Sequence, residues 1–291
     1  MIARSEVATD DNDSGEVITK LGERVTTIEE GQKNIQVKTN QGDYFSHYLV
    51  GADGVHSLVA KQGGLITKRT TSLAYEARHA LPNNPKHAHL DTVTFDFGTI
   101  PFGYGWIFPK RDHLNVGVCR TWPGNKAGKT DLYRFIDQHP GLEREKILDI
   151  RAYPVPLGGG RAALHKNNLL LVGDAANLAD PWLGEGLYYA LLSGRIAAET
   201  ITNHIKGCIT DLARYTREIN TLCANQFAYA RRFSLLVNLS PYINVQLLKA
   251  SQTLQNLIIE LLRGDQTYKD AWHKLFADTP KLLWKRLMGS Q

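Results

Sequence analysis

The residues best placed to do chemistry lie in one stretch, Leu170-Leu171-Val172-Gly173-Asp174-Ala175-Ala176, followed by Pro181 and then by Gly184-Glu185-Gly186. Asn168 to Val172 is a continuous apolar run with polar and glycine residues on either side, as expected of a strand buried on both faces. Such a strand ending in Gly-Asp sets a carboxylate at the carboxyl edge of its sheet, where α/β folds bind cofactors. Asp174 can there accept hydrogen bonds from ribose hydroxyls. The glycines beyond it let backbone approach a ligand closely. The helix they open offers unpaired N–H groups and a partial positive charge to a pyrophosphate or a reduced flavin. Small residues at Ala190, Ser193, Gly194, Ala197 and Ala198 are expected to let that helix pack close to the sheet. The alternative is a plain strand, loop and helix in which Asp174 only caps a turn. Gly184-x-Gly186-x-x-Tyr189 is not a dinucleotide fingerprint, because Tyr189 stands where a third glycine or alanine belongs.

The elements that must position these residues read as follows. Arg24 to Ile28, then Ile35, Val37 and Thr39, then Tyr44 to Val50 form an alternating β meander turned at Asn40 to Asp43. The last of these strands runs into Gly51-Ala52-Asp53-Gly54, and Ser57 caps a short helix through Ala60. Ser72 to Arg120 reads as antiparallel strand, with Val93, Phe95 and Phe97 alternating before Tyr104 to Phe108 and Leu114 to Val118. Thr130 opens an amphipathic helix carrying Leu132, Phe135 and Ile136, closed by Pro140. A long helix runs from about Gly186 to Ile205, another from Asp211 to about Leu239, and after a break at Ser240-Pro241 the chain stays helical to Leu287. Gly158-Gly159-Gly160 before Arg161 is either a plain turn or a loop passing near a ligand.

Val172 to Glu199 resembles the second FAD motif of the geranylgeranyl reductase family, within the wider group of flavoproteins built like aromatic hydroxylases. Gly51-Ala52-Asp53-Gly54-Val55-His56-Ser57 is similar to that group's other internal motif, which the resemblance places by the FAD pyrophosphate. The wider group has Arg three residues after the serine, whereas this chain has Ala60 beside Lys61. Pro101-Phe102-Gly103-Tyr104-Gly105-Trp106-Ile107-Phe108-Pro109-Lys110 resembles the reductase signature Y-x-W-x-F-P. Alternation puts Tyr104, Trp106 and Phe108 on one strand face, either as an aromatic wall for an isoprenoid chain or as core.

The resemblance covers Glu16 to Ile205. It implies an FAD-dependent oxidoreductase that saturates C=C bonds of a geranylgeranyl or similar polyprenyl group, with NADPH or ferredoxin as electron donor and a prenyl lipid or prenyl diphosphate as substrate. FAD contacts are expected at Asp53, Gly54, Gly173, Asp174, Ala175, Gly184, Glu185 and Gly186, and substrate contacts at Tyr104, Trp106 and Phe108. No proton donor is assigned, Tyr104 and Glu185 being the candidates. Family members begin with a strand, a G-x-G-x-x-G turn and a helix. Nothing before Val17 reads as those, so a shortened member is expected, by a late start codon, a split gene or a real truncation, with an upstream-encoded partner segment among the readings left open. The alternatives are a flavin hydroxylase or halogenase using molecular oxygen, and a non-catalytic prenyl-lipid-binding remnant.

The expected fold is α/β with an α+β insertion. A partial, doubly wound FAD-binding domain (1–66 and 158–207) encloses an antiparallel-sheet substrate domain (67–157), and a helical region (208–291) follows. The composition is that of a soluble globular chain: 291 residues, 43% hydrophobic and 22% charged. A net charge of +5 favours anionic ligands without implying nucleic acid. No apolar run reaches membrane-spanning length and Met1 to Asp13 is polar, so a cytoplasmic protein is expected. The basic amphipathic end Leu282 to Met288, and Arg231-Arg232 beside aromatics, leave open a solvated helix or a peripheral membrane contact. Cys119, Cys208 and Cys223 have no C-x-x-C spacing and read as ordinary thiols. His79, His87 and His89 lack the acidic neighbours of a metal site.

Overall fold

Alternating side chains build the first sheet. β1 (Val25–Glu30), β2 (Ile35–Thr39) and β3 (Asp43–Ser46) pair antiparallel in chain order, and Ile28 and Ile35 turn into the core. The expected single strand Tyr44 to Val50 is in fact two. Ser46 Oγ donates to the Tyr48 carbonyl and accepts from the Tyr48 N–H, a local bond set that competes with the ladder and bends the chain. Beyond the bend, β4 (Leu49–Gly51) joins a different sheet. The computed structural model describes residues 17–31, 34–65, 69–82, 92–122, 126–158 and 162–276. Met1 to Asp13, His87, His89, Gly159 to Arg161 and Leu282 to Met288 therefore lie outside the described residues.

The parallel part of the α/β unit consists of β4 and β11 (Leu169–Leu171), paired Leu49 to Leu169 through Gly51 to Leu171. β10 (His165–Lys166) flanks β11 on its other side, which leaves β4 at the edge. All three leucines of β11 are fully buried, as a strand covered on both faces requires. α1 (Leu58–Gln62) and α3 (Leu187–Ile205) pack in the same core, together with Tyr215, Ile219, Cys223 and Phe227 of α4 (Ala213–Leu239).

The inserted sheet has five strands in the order β6 (Thr94–Asp96), β7 (Gly103–Pro109), β8 (His113–Arg120), β5 (Thr71–Ala80), β9 (Ile147–Pro156), all antiparallel. β9 was hidden in the sequence by Pro154 and Pro156, which an edge strand tolerates. α2 (Lys129–Gln138) covers one face, with Leu132, Phe135 and Ile136 against Ile107, Leu114, Val116 and Val118. Gly105 makes that packing possible, since a Cβ there would sit 2.1 Å from the Phe135 ring.

After α4, α5 (Pro241–Ala250) and α6 (Gln252–Arg263) follow. Gly264 ends α6 in the left-handed conformation at φ 79°, and 268–276 are again helical. Trp182, Phe233, Leu257, Leu261 and Tyr268 form a separate core here.

Candidate functional site

Parallel pairing of β4 with β11 brings the two polar motifs together. Asp53 follows the end of β4 by two residues and Asp174 follows the end of β11 by three, so both lie past the carboxyl ends of adjacent parallel strands, where α/β sheets take ligands. Gly51 is required at the pairing, because a Cβ would meet Leu171 and Val59 at 2.8 Å. The Asp53 carboxylate serves its own helix: it accepts from Ser57 Oγ at 2.5 Å, Leu58 N at 2.7 Å and Val59 N at 3.1 Å. Gly54, at φ 76°, makes the turn between them.

Asp174 differs from Asp53. Its carboxylate accepts no hydrogen bond from the described residues, and burial pushes it above the usual carboxylate range, with the Arg69 charge opposing. Its Oδ1 lies 3.2 Å from where a Cβ on Gly186 would stand, so the carboxylate faces the amino terminus of α3. Gly186 caps that helix without a side chain, while Glu185 Oε1 accepts from Tyr188 N at 2.7 Å and Glu185 itself is exposed. Asn177, in the left-handed conformation after Ala175 and Ala176, leaves its Oδ1 buried without a donor. A carboxylate without a protein donor, an orphaned amide oxygen and a helix amino terminus where the Glu185 carboxylate takes Tyr188 N but no side chain takes Leu187 N or Tyr189 N fit a ligand that brings hydroxyl and N–H donors together with anionic groups.

Gly173, at φ 54°, lies so close to α3 that a Cβ would come 3.0 Å from Ala190, and its N–H donates to Ser193 Oγ at 2.9 Å. Ser193 and Ala197 are buried as expected. Gly194 and Ala198 are not part of this contact: a Cβ on Gly194 would meet nothing within 4 Å and Ala198 is exposed, each lying one position further around the helix.

Tyr104, Trp106 and Phe108 do share one face of β7, with ring centroids 5.8 and 6.1 Å apart in sequence, and Phe95 and Phe97 extend the wall. Gly117, opposite Trp106 on β8, has no Cβ because the indole lies 2.0 Å from where one would be. Trp106 Nε1 donates to Asn115 Oδ1 at 2.7 Å, and Tyr104 donates to the Leu183 carbonyl. The wall is partly core and partly lining: Tyr104, Trp106 and Phe108 bound a cavity of about 240 Å³ with Ala74, Glu76, Asn115, Cys119, Val155 and Gly184. The aromatic face and the glycine loop thus share one cavity. Burial raises the Tyr104 hydroxyl well above its ordinary value and the Cys119 thiol to about 11, so both hold their protons at neutral pH.

Sequence reading missed the part that four side chains play here. Arg69 donates from Nη1 to the Asp174 carbonyl at 2.8 Å and from Nη2 to the Ala175 carbonyl at 2.7 Å. Its charge acts on both the Asp53 and Asp174 carboxylates. Asp180, 2% exposed, accepts from Trp182 N at 2.7 Å and Leu183 N at 2.8 Å and fixes the loop that ends in Gly184. Burial pushes its carboxyl up to about 6, against those N–H groups and the Tyr268 hydroxyl. Cys119 and Glu76 reach the cavity only through strand register, which no local motif announces. His79 is buried between the Ala80 carbonyl and the Glu143 backbone, and no cluster able to hold a metal occurs among the described residues. Cys119 and Cys223 are buried and Cys208 exposed, all free.

No protein-family model matches the chain. An uncharacterized protein of Methanosarcina barkeri is 35% identical over 204 residues, 68% of this chain and 51% of that one. The chloroplastic geranylgeranyl diphosphate reductase of Oryza sativa subsp. japonica is 32% identical over 188 residues, 60% of this chain and 39% of that one. Among solved structures, a geranylgeranyl bacteriochlorophyll reductase-like protein from Thermoplasma acidophilum matches with a TM-score of 0.62 at 24% identity, covering 73% of this chain and 57% of that one, a likeness of fold. The chain spans about half the length of the curated relatives it matches.

Proposed function

This chain belongs to the geranylgeranyl reductase family over the part of those proteins that it spans, and from that premise we propose that it serves an FAD-dependent reduction of C=C bonds in a polyprenyl group. When bound, FAD supplies the hydride. Asp174 accepts hydrogen bonds from cofactor hydroxyls, the Gly184 to Gly186 loop and the amino terminus of α3 face its anionic part, and Arg69 holds the Asp174 and Ala175 carbonyls in place. Asp53 and Gly54 act on the pyrophosphate side by fixing the turn into α1. Tyr104, Trp106 and Phe108 receive the prenyl chain and exclude water from the reacting bond. Tyr104 Oη and Cys119 Sγ, both protonated at neutral pH, are the cavity groups able to keep a proton near the second alkene carbon. Electrons come from NADPH or a ferredoxin.

The observation that carries this reading is the single cavity lined by both the aromatic wall and Gly184. The edge of β4 and the exposed apolar residues Leu187, Tyr188 and Leu191 of α3 offer a surface on which a further element of the cofactor site can dock. Support for that surface lies in its exposure, which is costly for apolar side chains without a partner. The test is an anaerobic incubation of the full chain with FAD, dithionite and geranylgeranyl diphosphate. Product mass should rise by one hydrogen pair for each double bond reduced, and Trp106→Ala should slow the reaction at least tenfold. A product formed only when the incubation is repeated in air would instead indicate a hydroxylase, and no anaerobic turnover with FAD demonstrably bound would remove the reductase reading.

A further inference from the structure

Among the described residues that line the aromatic cavity, Glu76 is the only charged side chain. Strand register puts it there. Trp106 on β7 pairs with Gly117 on β8, and Gly117 pairs with Glu76 on β5, so the three form one row across the sheet. Side chains opposite one another in a ladder share a face, and two strand spacings set the Cα atoms of Trp106 and Glu76 about 10 Å apart. The indole closes part of that gap, because its six-membered ring lies 2.0 to 2.6 Å from where a Cβ on Gly117 would stand. Tyr104 and Phe108 flank the indole on the same face. The cavity thus has aromatic rings on one side and a carboxylate on the other.

A carboxylate is out of place in a site for a hydrocarbon. An alkyl chain offers it no donor, and covering it with one takes it out of water uncompensated. Nor does the protein neutralise it. Glu76 is half-buried and has no hydrogen bond or ion pair among the described residues. Two arginines share its face of the sheet, and both are engaged elsewhere. Arg151, opposite Glu76 on β9, donates from Nη2 to Asp149 Oδ2 at 3.1 Å, and Arg78, two residues further along β5, acts on the Asp112 carboxylate. Aromatic ring faces and an unpaired carboxylate have one preference in common, a positive charge.

We infer that Glu76, with the Trp106 ring across from it, stabilises positive charge that develops on the prenyl group as its double bond is reduced. The inference rests on reading the cavity as a polyprenyl site and adds a residue and the sign of the charge. An isolated, alkyl-substituted C=C bond carries no group that could hold negative charge, so proton transfer leads. The π pair forms a C–H bond at the less substituted carbon with a proton from a cavity hydroxyl or thiol. The more substituted carbon is left electron-poor and takes a hydride with its pair. The alkene thereby gains two electrons at the expense of reduced flavin, and the cavity acid regains its proton from water. Glu76 exchanges no atom in this sequence. It acts through its charge, fixed in place before the reaction and strengthened where water is excluded.

The test is calorimetric titration of the full chain with geranyltrimethylammonium, whose fixed charge stands in for the electron-poor carbon, and separately with geraniol. The proteins are the wild type, Glu76→Gln, Glu76→Asp and Trp106→Ala at matched thermal stability, and no turnover is needed for the readout. The wild type should bind the ammonium at least tenfold more tightly than the alcohol. Glu76→Gln should abolish that preference while leaving alcohol binding within twofold, Glu76→Asp should keep part of it, and Trp106→Ala should weaken both compounds. Equal affinity of the wild type for the two, with Trp106→Ala weakening both, would overturn the role of Glu76 and leave the polyprenyl reading standing. A preference for the ammonium that survives Glu76→Gln would overturn it as well, by placing the recognition of charge elsewhere. Loss of alcohol binding in Glu76→Gln would contradict it in favour of a carboxylate that accepts a hydrogen bond from a head group. Failure of the wild type to bind either compound would remove both the inference and the reading beneath it.

Discussion

Asp180 is the side chain whose protonation is most tightly tied to the loop of the site. Fully buried, it holds the Trp182 and Leu183 N–H groups and titrates near 6 instead of in the ordinary aspartate range. A carboxyl whose folded value is raised above its unfolded one binds its proton more tightly in the native state. The folded state therefore loses stability as pH rises from about 4 to about 6, and this cost stays above that window. Asp180→Asn keeps an acceptor for both amides and removes the titration. Denaturation midpoints from pH 4 to pH 7 should show wild type falling relative to Asp180→Asn by a few kcal/mol, on the order of 1.4 kcal/mol per unit of pKa shift. A difference constant across that range would contradict the assignment. The residues legible in the sequence were those with short-range signatures, Gly173-Asp174 and Gly184-Glu185-Gly186 among them. Arg69 and Asp180 were not legible, because their partners lie either a hundred residues away or on backbone amides that no side-chain pattern marks.

Among the elements, β7 and β8 fix the aromatic wall through glycines as much as through the aromatics themselves. Gly117 leaves the space that the Trp106 indole fills across the strand pair, and Gly105 leaves the space for Phe135 of α2 on the opposite face. Gly117→Ala should force the indole to move, cost about 1–3 kcal/mol as overpacking does, and shift tryptophan emission, with Trp106→Phe/Gly117→Ala recovering much of the loss. Urea unfolding and fluorescence of the three variants check this, and an unshifted spectrum in Gly117→Ala would contradict it. Alternation alone located β7, β8 and α2 to within a residue or two. It did not locate β9, whose prolines mask an edge strand, nor the bend at Ser46 that sends β4 to another sheet, because both depend on which neighbour a strand finds.

In the whole molecule, Trp182 joins three parts. Its ring lies 5.6 Å from Phe97 of the inserted sheet, 5.6 Å from Phe233 of α4 and 5.9 Å from Tyr268 in the last described helix. It is one of the largest fully buried side chains, and it sits in the loop between Asp180 and Gly184. Trp182→Ala should lower stability by about 3–5 kcal/mol and raise amide hydrogen exchange in α6 and 268–276 more than in β11. Uniform exchange would show that the helices are held elsewhere. No helix among the described residues is long and apolar enough to cross a membrane. The account as a whole depends on the meeting of two motifs at the ends of β4 and β11, some 120 residues apart in sequence. The direct measurement is the absorbance spectrum of the full chain after incubation with FAD and desalting, for wild type and Asp174→Ala at matched thermal stability. Retained flavin bands in the wild type, lost or reduced at least tenfold in Asp174→Ala, are the predicted result; equal retention by both proteins, or colourless wild type, would contradict a flavin site built on Asp174.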